Sequence, residues 1–246
     1  MQMANCFVIP IYNHHETIAA TVAALAEYQL AIIIVDDGSD QPTRDVLAEL
    51  AQHNPLVEVI SLAQNGGKGS AVSAGLRRAL VRGFSHALQI DADGQHDTGD
   101  IPAFWQLSAQ HPAALISGQP LYDDSMPRSR RIGRKITHFW VHIETLSLDI
   151  KDSMLGLRVY PLAATVALLD SVRLGQRMDF DIEIMVRLYW RAVPVLFIPS
   201  RVVYPQGGRS HFNLLRDNWL ISKMHTRLFF GMLWRSPLLL WRKWTR

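Results

Sequence analysis

Asp91 and Asp93 stand one residue apart where the apolar run Leu88-Gln89-Ile90 gives way to Asp91-Ala92-Asp93-Gly94-Gln95-His96. Clustered carboxylate oxygens before a glycine suit a hard divalent cation that shares a phosphate with its remaining ligands. A polar loop that merely follows a strand uses the same residue types. A second acidic turn, Asp36-Asp37-Gly38-Ser39-Asp40, ends another apolar run. Ionised carboxylates only accept hydrogen bonds, so they match the donor groups of a ribose or a nucleobase. Helix capping is the plainer use, and it needs just one of those three acids. Farther on, Asp179, Asp181 and Glu183 crowd three acids into five residues. Carboxylates that close oppose one another's ionisation, which suits a general base, although the dipole of a helix first turn favours acids there in any case. The planar fork of arginine matches phosphate oxygens. That singles out Arg158, and Arg209 with His211 in the stretch Gln206-Gly207-Gly208-Arg209-Ser210-His211, where a plain turn is the other account. Lys68, in Asn65-Gly66-Gly67-Lys68-Gly69-Ser70, either adds a cation near a nucleotide or is a solvated loop lysine.

These groups need a scaffold that brings strand ends together. Residues 7–13 read as a strand ending in a polar turn, followed by a helix with Ile18, Val22 and Leu25 on one face. Residues 31–35 are a continuous apolar run, typical of a parallel strand covered on both sides. Ser39 or Asp40 can cap the next helix, with Pro42 in its first turn and Val46, Leu47 and Leu50 facing inward. Residues 57–62 give a third strand, Val72, Leu76 and Leu80 the inner face of a helix, and residues 87–90 a fourth strand. This alternation predicts an α/β domain: a Rossmann-like, mostly parallel sheet flanked by helices, with right-handed crossovers. The ends after Ile11, Val35 and Ile90 then lie along one edge, where open α/β sheets bind ligands. Beyond them come a helix at 100–110, a strand at 114–117, a helix at 136–148, a turn and short strand at 152–160, a helix at 180–189 and a strand at 193–198.

Composition narrows the class. In 246 residues, 48% of them apolar, one sizeable core can form without a second. The single cysteine, Cys6, leaves no internal disulfide, and with scattered histidines it gives zinc little support. No segment holds eighteen uninterrupted apolar residues, and Met1-Gln2-Met3-Ala4-Asn5 runs straight into a strand, so a cytoplasmic location is expected. The net charge of +3 is unevenly spread: residues 210–246 hold seven Lys or Arg against Asp217 alone, leaving about −3 for residues 1–209. That tail also carries Trp219, Trp234, Trp241 and Trp244 among many aliphatic residues. Tryptophan mixed with cations is the composition of an amphipathic helix lying in a membrane interface, and the aliphatic content argues against nucleic acid. Packing against the catalytic domain or a second copy is the alternative. Arg235 and Pro237 interrupt the apolar run, so spanning is not expected. The basic run at 127–135 is either a solvated face or part of a membrane-facing helix. The domain expectation is therefore a catalytic unit at 1–209 and a basic, Trp-rich membrane-associating tail at 210–246.

Two familiar motifs fail on spacing. Around Lys68, Leu62 stands where the first P-loop glycine belongs and Gly69 where Ser or Thr should follow the lysine. After Asp91 the glycine arrives at the fourth position, not at the sixth that an EF-hand requires. The ordered set Val8-Ile9-Pro10-Ile11-Tyr12-Asn13, Ile34-Val35-Asp36-Asp37-Gly38-Ser39, Gly67-Lys68-Gly69 with Gly75, and Asp91-Ala92-Asp93-Gly94-Gln95-His96 resembles instead the family 2 glycosyltransferases, whose fold is GT-A. Asp152-Ser153-Met154-Leu155-Gly156-Leu157-Arg158-Val159-Tyr160 looks like the acceptor-loop segment of the polyprenyl-phosphate sugar synthases within it, with Leu157 where those usually carry Phe. Phe180-Asp181-Ile182-Glu183-Ile184 looks like their late acidic helix.

The resemblance, which spans roughly residues 5–205, implies an inverting, metal-dependent transfer of a sugar from a UDP- or GDP-sugar. The acceptor would be lipid-linked, a polyprenyl phosphate or a glycolipid precursor, at the cytoplasmic face of the membrane. It implies that Pro10, Tyr12, Asn13, Asp36, Asp37, Lys68, Asp91, Ala92, Asp93 and Gln95 surround the nucleotide-sugar. Asp36 would hold the base or ribose with Asp37 supporting it. Asp93, with Asp91, would hold Mg²⁺ or Mn²⁺, and Glu183, or next Asp181, would be the base. Arg158, Arg209 and His211 would grip the acceptor or a phosphate. Two other classes fit parts of the sequence: a haloacid-dehalogenase-like phosphatase with Asp91 as nucleophile, and a silent membrane-associated nucleotide-binding module.

Overall fold

The computed structural model describes residues 4–121, 128–201 and 213–245. In chain order these form β1 (Asn5–Ile11), α1 (His15–Ala26), β2 (Ala31–Asp36), α2 (Gln41–His53), β3 (Val57–Ser61), α3 (Lys68–Val81) and β4 (His86–Gln89). A 3₁₀ turn at Thr98–Asp100 precedes α4 (Ile101–Gln110), β5 (Leu115–Leu121), α5 (Arg128–Thr145), β6 (Arg158–Pro161), α6 (Leu162–Ser171), α7 (Phe180–Trp190), β7 (Val195–Arg201) and α8 (Leu214–Trp244). The strands make one sheet in the order β3-β2-β1-β4-β6-β5-β7. The expected mostly parallel sheet flanked by helices is what the chain adopts.

Strand residues alternate between two cores. Val8, Ile33 and Val35 pack with α3, α6, α7 and α8 on one face, while Phe7, Ile9, Ile32 and Ile34 pack with α1, α2 and α4 on the other. Parallel strands covered on both sides must be apolar throughout, which is why β1 and β2 carry no polar residue between Cys6 and Ile11 or between Ala31 and Val35. Pro10 is tolerated in a central strand because β4 pairs with β1 only up to Val8. Asp40 caps α2 by accepting from the Thr43 amide, with Pro42 in the first turn as expected.

Topology decides where the loops meet. Ile11 pairs with Asp36 at the carboxyl ends of β1 and β2. β6 runs antiparallel to β4, with Arg158 opposite Gln89. The loop that enters β6 therefore lies beside the loop that leaves β4, so residues 152–157 and residues 90–96 share the sheet edge.

Two elements depart from expectation, and the expected C-terminal helix is longer and better packed than its sequence shows. α6 has no helical stripe in its sequence because Leu162, Thr165, Val166, Leu168 and Leu169 bury several sides at once. α5 begins at Arg128, so the basic run forms its first turns instead of preceding it. α8 continues through Pro237; the Leu233 carbonyl, whose helical partner a proline lacks, accepts from Ser236 Oγ at 2.9 Å. Nor does α8 stand apart from the rest. Met224, Leu228, Met232 and Leu239 belong to the core shared with α3 and α7, and buried His225 bonds buried Glu144 of α5 at 2.7 Å.

Candidate active site

Asp91 leaves β4 on the carboxyl edge of the sheet, and three parts of the chain converge on it. Lys68, the first residue of α3, donates from Nζ to Asp91 Oδ2 at 2.9 Å and lies 2.9 Å from Asp181 Oδ2. Its side chain is only 19% exposed, so the solvated-lysine reading does not hold. Gly67 places it: that residue has φ +98, which a side chain would strain, and the Gln176 carbonyl occupies the space a Cβ would need. Gly156 approaches from the loop before β6, so closely that any Cβ there would overlap the Asp91 carboxylate. His96 Nε2 lies 3.7 Å from Asp91 Oδ2. His96, the last residue of the acidic motif after β4, thus faces the same carboxylate.

Charge in this cluster is unevenly satisfied. Burial opposes the ionisation of Asp91, but Lys68 and His96 outweigh it and hold the carboxyl well below the usual range. Asp93 shifts the other way, because burial and then the Asp91 charge both raise it. Burial would lower the Lys68 ammonium, yet Asp181 and Asp91 together keep it protonated far above neutrality. Two carboxylate oxygens of the cluster, Asp91 Oδ1 and Asp181 Oδ1, are buried without a hydrogen-bond partner among the described residues. An orphaned buried acceptor beside a second acid is what a cation relieves, so the side chains fit a divalent ion held by Asp91 and Asp93. Among the described residues no group of three or more His, Cys, Asp or Glu forms a closed metal shell. Further ligands would come from phosphate oxygens or water.

The remaining predicted residues divide by what their polar atoms touch. Asn13 takes positive φ, which asparagine tolerates; its amide donates to Ser39 Oγ and its side chain accepts from the Asp40 amide, stitching the loops after β1 and β2 together. Asp36 is 1% exposed and accepts from the Ser39 amide. Asp37 accepts from the Gly66 and Gly67 amides at 2.8 and 2.7 Å, so it shapes the turn that delivers Lys68. The Ala92 carbonyl accepts from Thr17 Oγ1, and Asp93 accepts from the Gln95 amide. Pro10 is buried, and Tyr12 and Gln95 are partly covered.

Two expectations need correcting on geometry. Arg158 presents no fork to a phosphate: it is fully buried, donating to the carbonyls of Leu155, Asp181 and Ser153. It ties the loop before β6 to the start of α7. Glu183 does not face Asp91 through any of its bonds. It is fully buried, with its oxygens taken by Arg187 Nε at 2.7 Å, Arg227 and the Gly175 amide at 2.8 Å. Asp181, two residues earlier, is the acid of that helix that joins the cluster. Arg209 and His211 lie outside the described residues.

The family model described as "Glycosyl transferase family 2" matches residues 6–163, which run from β1 into α6 and include the carboxyl ends of β1, β2 and β4. The chain belongs to glycosyltransferase family 2. This glycosyltransferase is 27% identical over 210 residues to an undecaprenyl-phosphate mannosyltransferase of Micrococcus luteus, the match covering 82% of this chain and 85% of the relative. It is 26% identical over 215 residues to a UDP-N-acetylglucosamine–dolichyl-phosphate N-acetylglucosaminyltransferase of Methanococcus voltae, with 81% and 85% covered. Its fold resembles that of glucosyl-3-phosphoglycerate synthase from Mycobacterium tuberculosis, a structure in complex with Mn²⁺, UDP-glucose and phosphoglyceric acid. There the TM-score is 0.64 at 14% identity, over 94% of this chain and 78% of that one. The architecture is thus the GT-A fold.

Proposed function

We propose that this glycosyltransferase moves a sugar, with inversion, from a UDP- or GDP-sugar to a polyprenyl phosphate at the cytoplasmic face of a membrane. The observation that carries this reading is the junction at Asp91, where the donor-side carboxylate, the Gly156 loop and Asp181 meet around one lysine. Two relatives named for lipid-phosphate acceptors, matched along most of their length, support the acceptor class. Asp91 and Asp93 would hold Mg²⁺ or Mn²⁺, which offsets charge developing on the departing nucleoside diphosphate. Asp36 and Asp37 act by fixing the two loops on which the nucleotide rests. Asp181, which shares Lys68 with Asp91, is on this reading the acid nearer the chemistry, in place of Glu183. A phosphomonoester, with a second pKa of about 6, arrives mostly ionised at neutral pH, so Asp181 need not remove a proton from it.

The outward faces of α5 and α8 support a membrane site. Ile136 and Phe139 of α5 are exposed, as are Trp219, Trp234, Trp241 and Trp244 of α8. Lys223 and Lys243 of α8 are exposed as well. Indole rings and cations together suit the headgroup layer of an anionic bilayer. Among the described residues no helix is long and apolar enough to cross a membrane.

A nucleotide-sugar panel in a thermal-shift assay with Mn²⁺, followed by transfer to polyprenyl phosphate in anionic vesicles, tests the whole reading. A single donor at a hundred times its Kd should stabilise by about 2.7 kcal/mol. Transfer to the lipid phosphate should require both Mn²⁺ or Mg²⁺ and Asp93. Stabilisation by no activated sugar would refute it.

A further inference from the structure

Lys68 is placed unlike a simple nucleotide contact. Its ammonium is the only cation recorded within 3 Å of Asp91 or Asp181 among the described residues, and it sits between them at 2.9 Å from each. Among the described residues both carboxylates keep their other oxygen, Oδ1, buried and without a hydrogen-bond partner. Asp181 is 95% buried and, among the same residues, has the Arg158 guanidinium, 3.9 Å away, as its second counter-charge. The cluster is therefore neutralised by a side chain on the rim of a turn, and its acceptors are half used.

We infer that Lys68 is a resident stand-in cation: it occupies the charge position between Asp91 and Asp181 in the metal-free protein and gives up Asp91 when a divalent ion binds there. This rests on the reading of Asp91 and Asp93 as the metal site. A monovalent ammonium and a divalent ion within a few ångströms of one carboxylate repel strongly in a partly buried site. A divalent ion on Asp91, even through the open Oδ1, therefore weakens the hold of Lys68 on Oδ2. Asp181 gives the displaced ammonium a second carboxylate to stay on, so Lys68 need not enter solvent. Lys68 is then a positioning residue that bridges Asp91 and Asp181 in the absence of metal, and it sets how tightly metal is held.

The test is Mn²⁺ binding to the full chain, by calorimetry or by the loss of the free-ion electron paramagnetic resonance signal, with thermal stability measured alongside. Lys68→Met keeps the aliphatic stem and removes the charge. It should bind Mn²⁺ at least ~10-fold more tightly than wild type and melt lower without metal, with the gap closing as Mn²⁺ saturates. Lys68→Arg retains the charge and should bind Mn²⁺ no more tightly than wild type. Where the methionine variant fails to fold, Lys68→Gln repeats the comparison with a neutral donor. A purely structural or metal-supporting lysine predicts the opposite, weaker Mn²⁺ binding in the neutral variants, and that result, or no change, overturns the inference. Asp93→Asn separates the two failures. If wild type binds no Mn²⁺, or Asp93→Asn binds it equally, the metal site itself is misread. If Asp93 is required and the neutral lysine variants gain nothing, only the stand-in role falls.

Discussion

Two buried carboxylates on one helix, two residues apart, meet opposite fates in this protein. Glu183 has every direction filled, with two guanidinium groups and a backbone amide on its oxygens. Asp181 shares one ammonium with Asp91 and keeps an oxygen bare. The first arrangement locks α7 to α8 through Arg227 and leaves nothing for a ligand. The second leaves acceptor capacity open at the edge where the loops after β4 and before β6 meet. The two acids of this helix turn are about equally buried and differ in how much of their acceptor capacity other described residues fill.

The comparison breaks most directly at the under-satisfied end. Asp93→Asn and Asp91→Asn should each lower transfer by a factor of ~10³ or more, since the charge on the leaving diphosphate then goes unmatched. Their far-ultraviolet circular dichroism should match wild type. Near-normal turnover in both variants would remove the site. Glu183→Gln should act in reverse. Taking one partner from a buried ion pair costs about 3 kcal/mol, and for a chain of this size that is a Tm loss of roughly 6–12 °C. Its kcat per folded molecule should stay within a few-fold of wild type. A large loss of kcat at unchanged Tm would return Glu183 to the chemistry.

A third buried acid extends the comparison to pH. Asp152, 2% exposed, opens the loop that carries Gly156 and joins it to α5 through Arg134 and through His138 at 3.3 Å. Burial alone would raise its carboxyl, but the neighbouring His138 ring and the Arg134 charge outweigh that and bring it down to about 2 from an ordinary 3.8. A folded pKa below the unfolded one means stability that is complete above the unfolded value and is lost as pH falls through the folded one. The window is therefore about pH 4 down to about pH 2, and the contribution at neutral pH is on the order of 2 kcal/mol. Asp152→Asn should lower Tm at pH 7 and flatten the acid limb between those values in a pH-resolved melting series. A limb as steep as wild type would show that Asp152 is not the linked group.

Much of this was legible because parallel sheets write themselves plainly. Uninterrupted β-branched runs such as Ile32-Ile33-Ile34-Val35 ending in acids gave the strands, and the crossover rule then placed the ends of β1, β2 and β4 on one edge. α6 was illegible because a helix buried on several sides has no stripe to read. The acids 179–183 show the limit for the site. Spacing put them on one helix turn, but their partners, Lys68 and Arg227, lie far off in sequence, and only the packed structure assigns Lys68 to Asp181 and Arg227 to Glu183. Arg158 misled for the same reason. A guanidinium after a glycine looks available until β6 is seen to run antiparallel inside the sheet, with the arginine at its buried end.

Asp181→Asn gives the smallest effect and the sharpest discrimination. A general base lost from a hydroxyl-acceptor enzyme costs 10²–10⁴ in rate. A phosphate acceptor comes with its proton already gone, so Asp181 contributes there by holding Lys68 in place, and the neutral variant should lose about ten-fold in kcat, near 1.4 kcal/mol. With Asp181 neutral, Lys68 rests on Asp91 alone, so raising Mn²⁺ should recover part of that loss. A drop of 10²–10⁴ that metal cannot recover would instead make Asp181 a true base and the acceptor a hydroxyl group, leaving the donor half of the site as described and changing the molecule that receives the sugar.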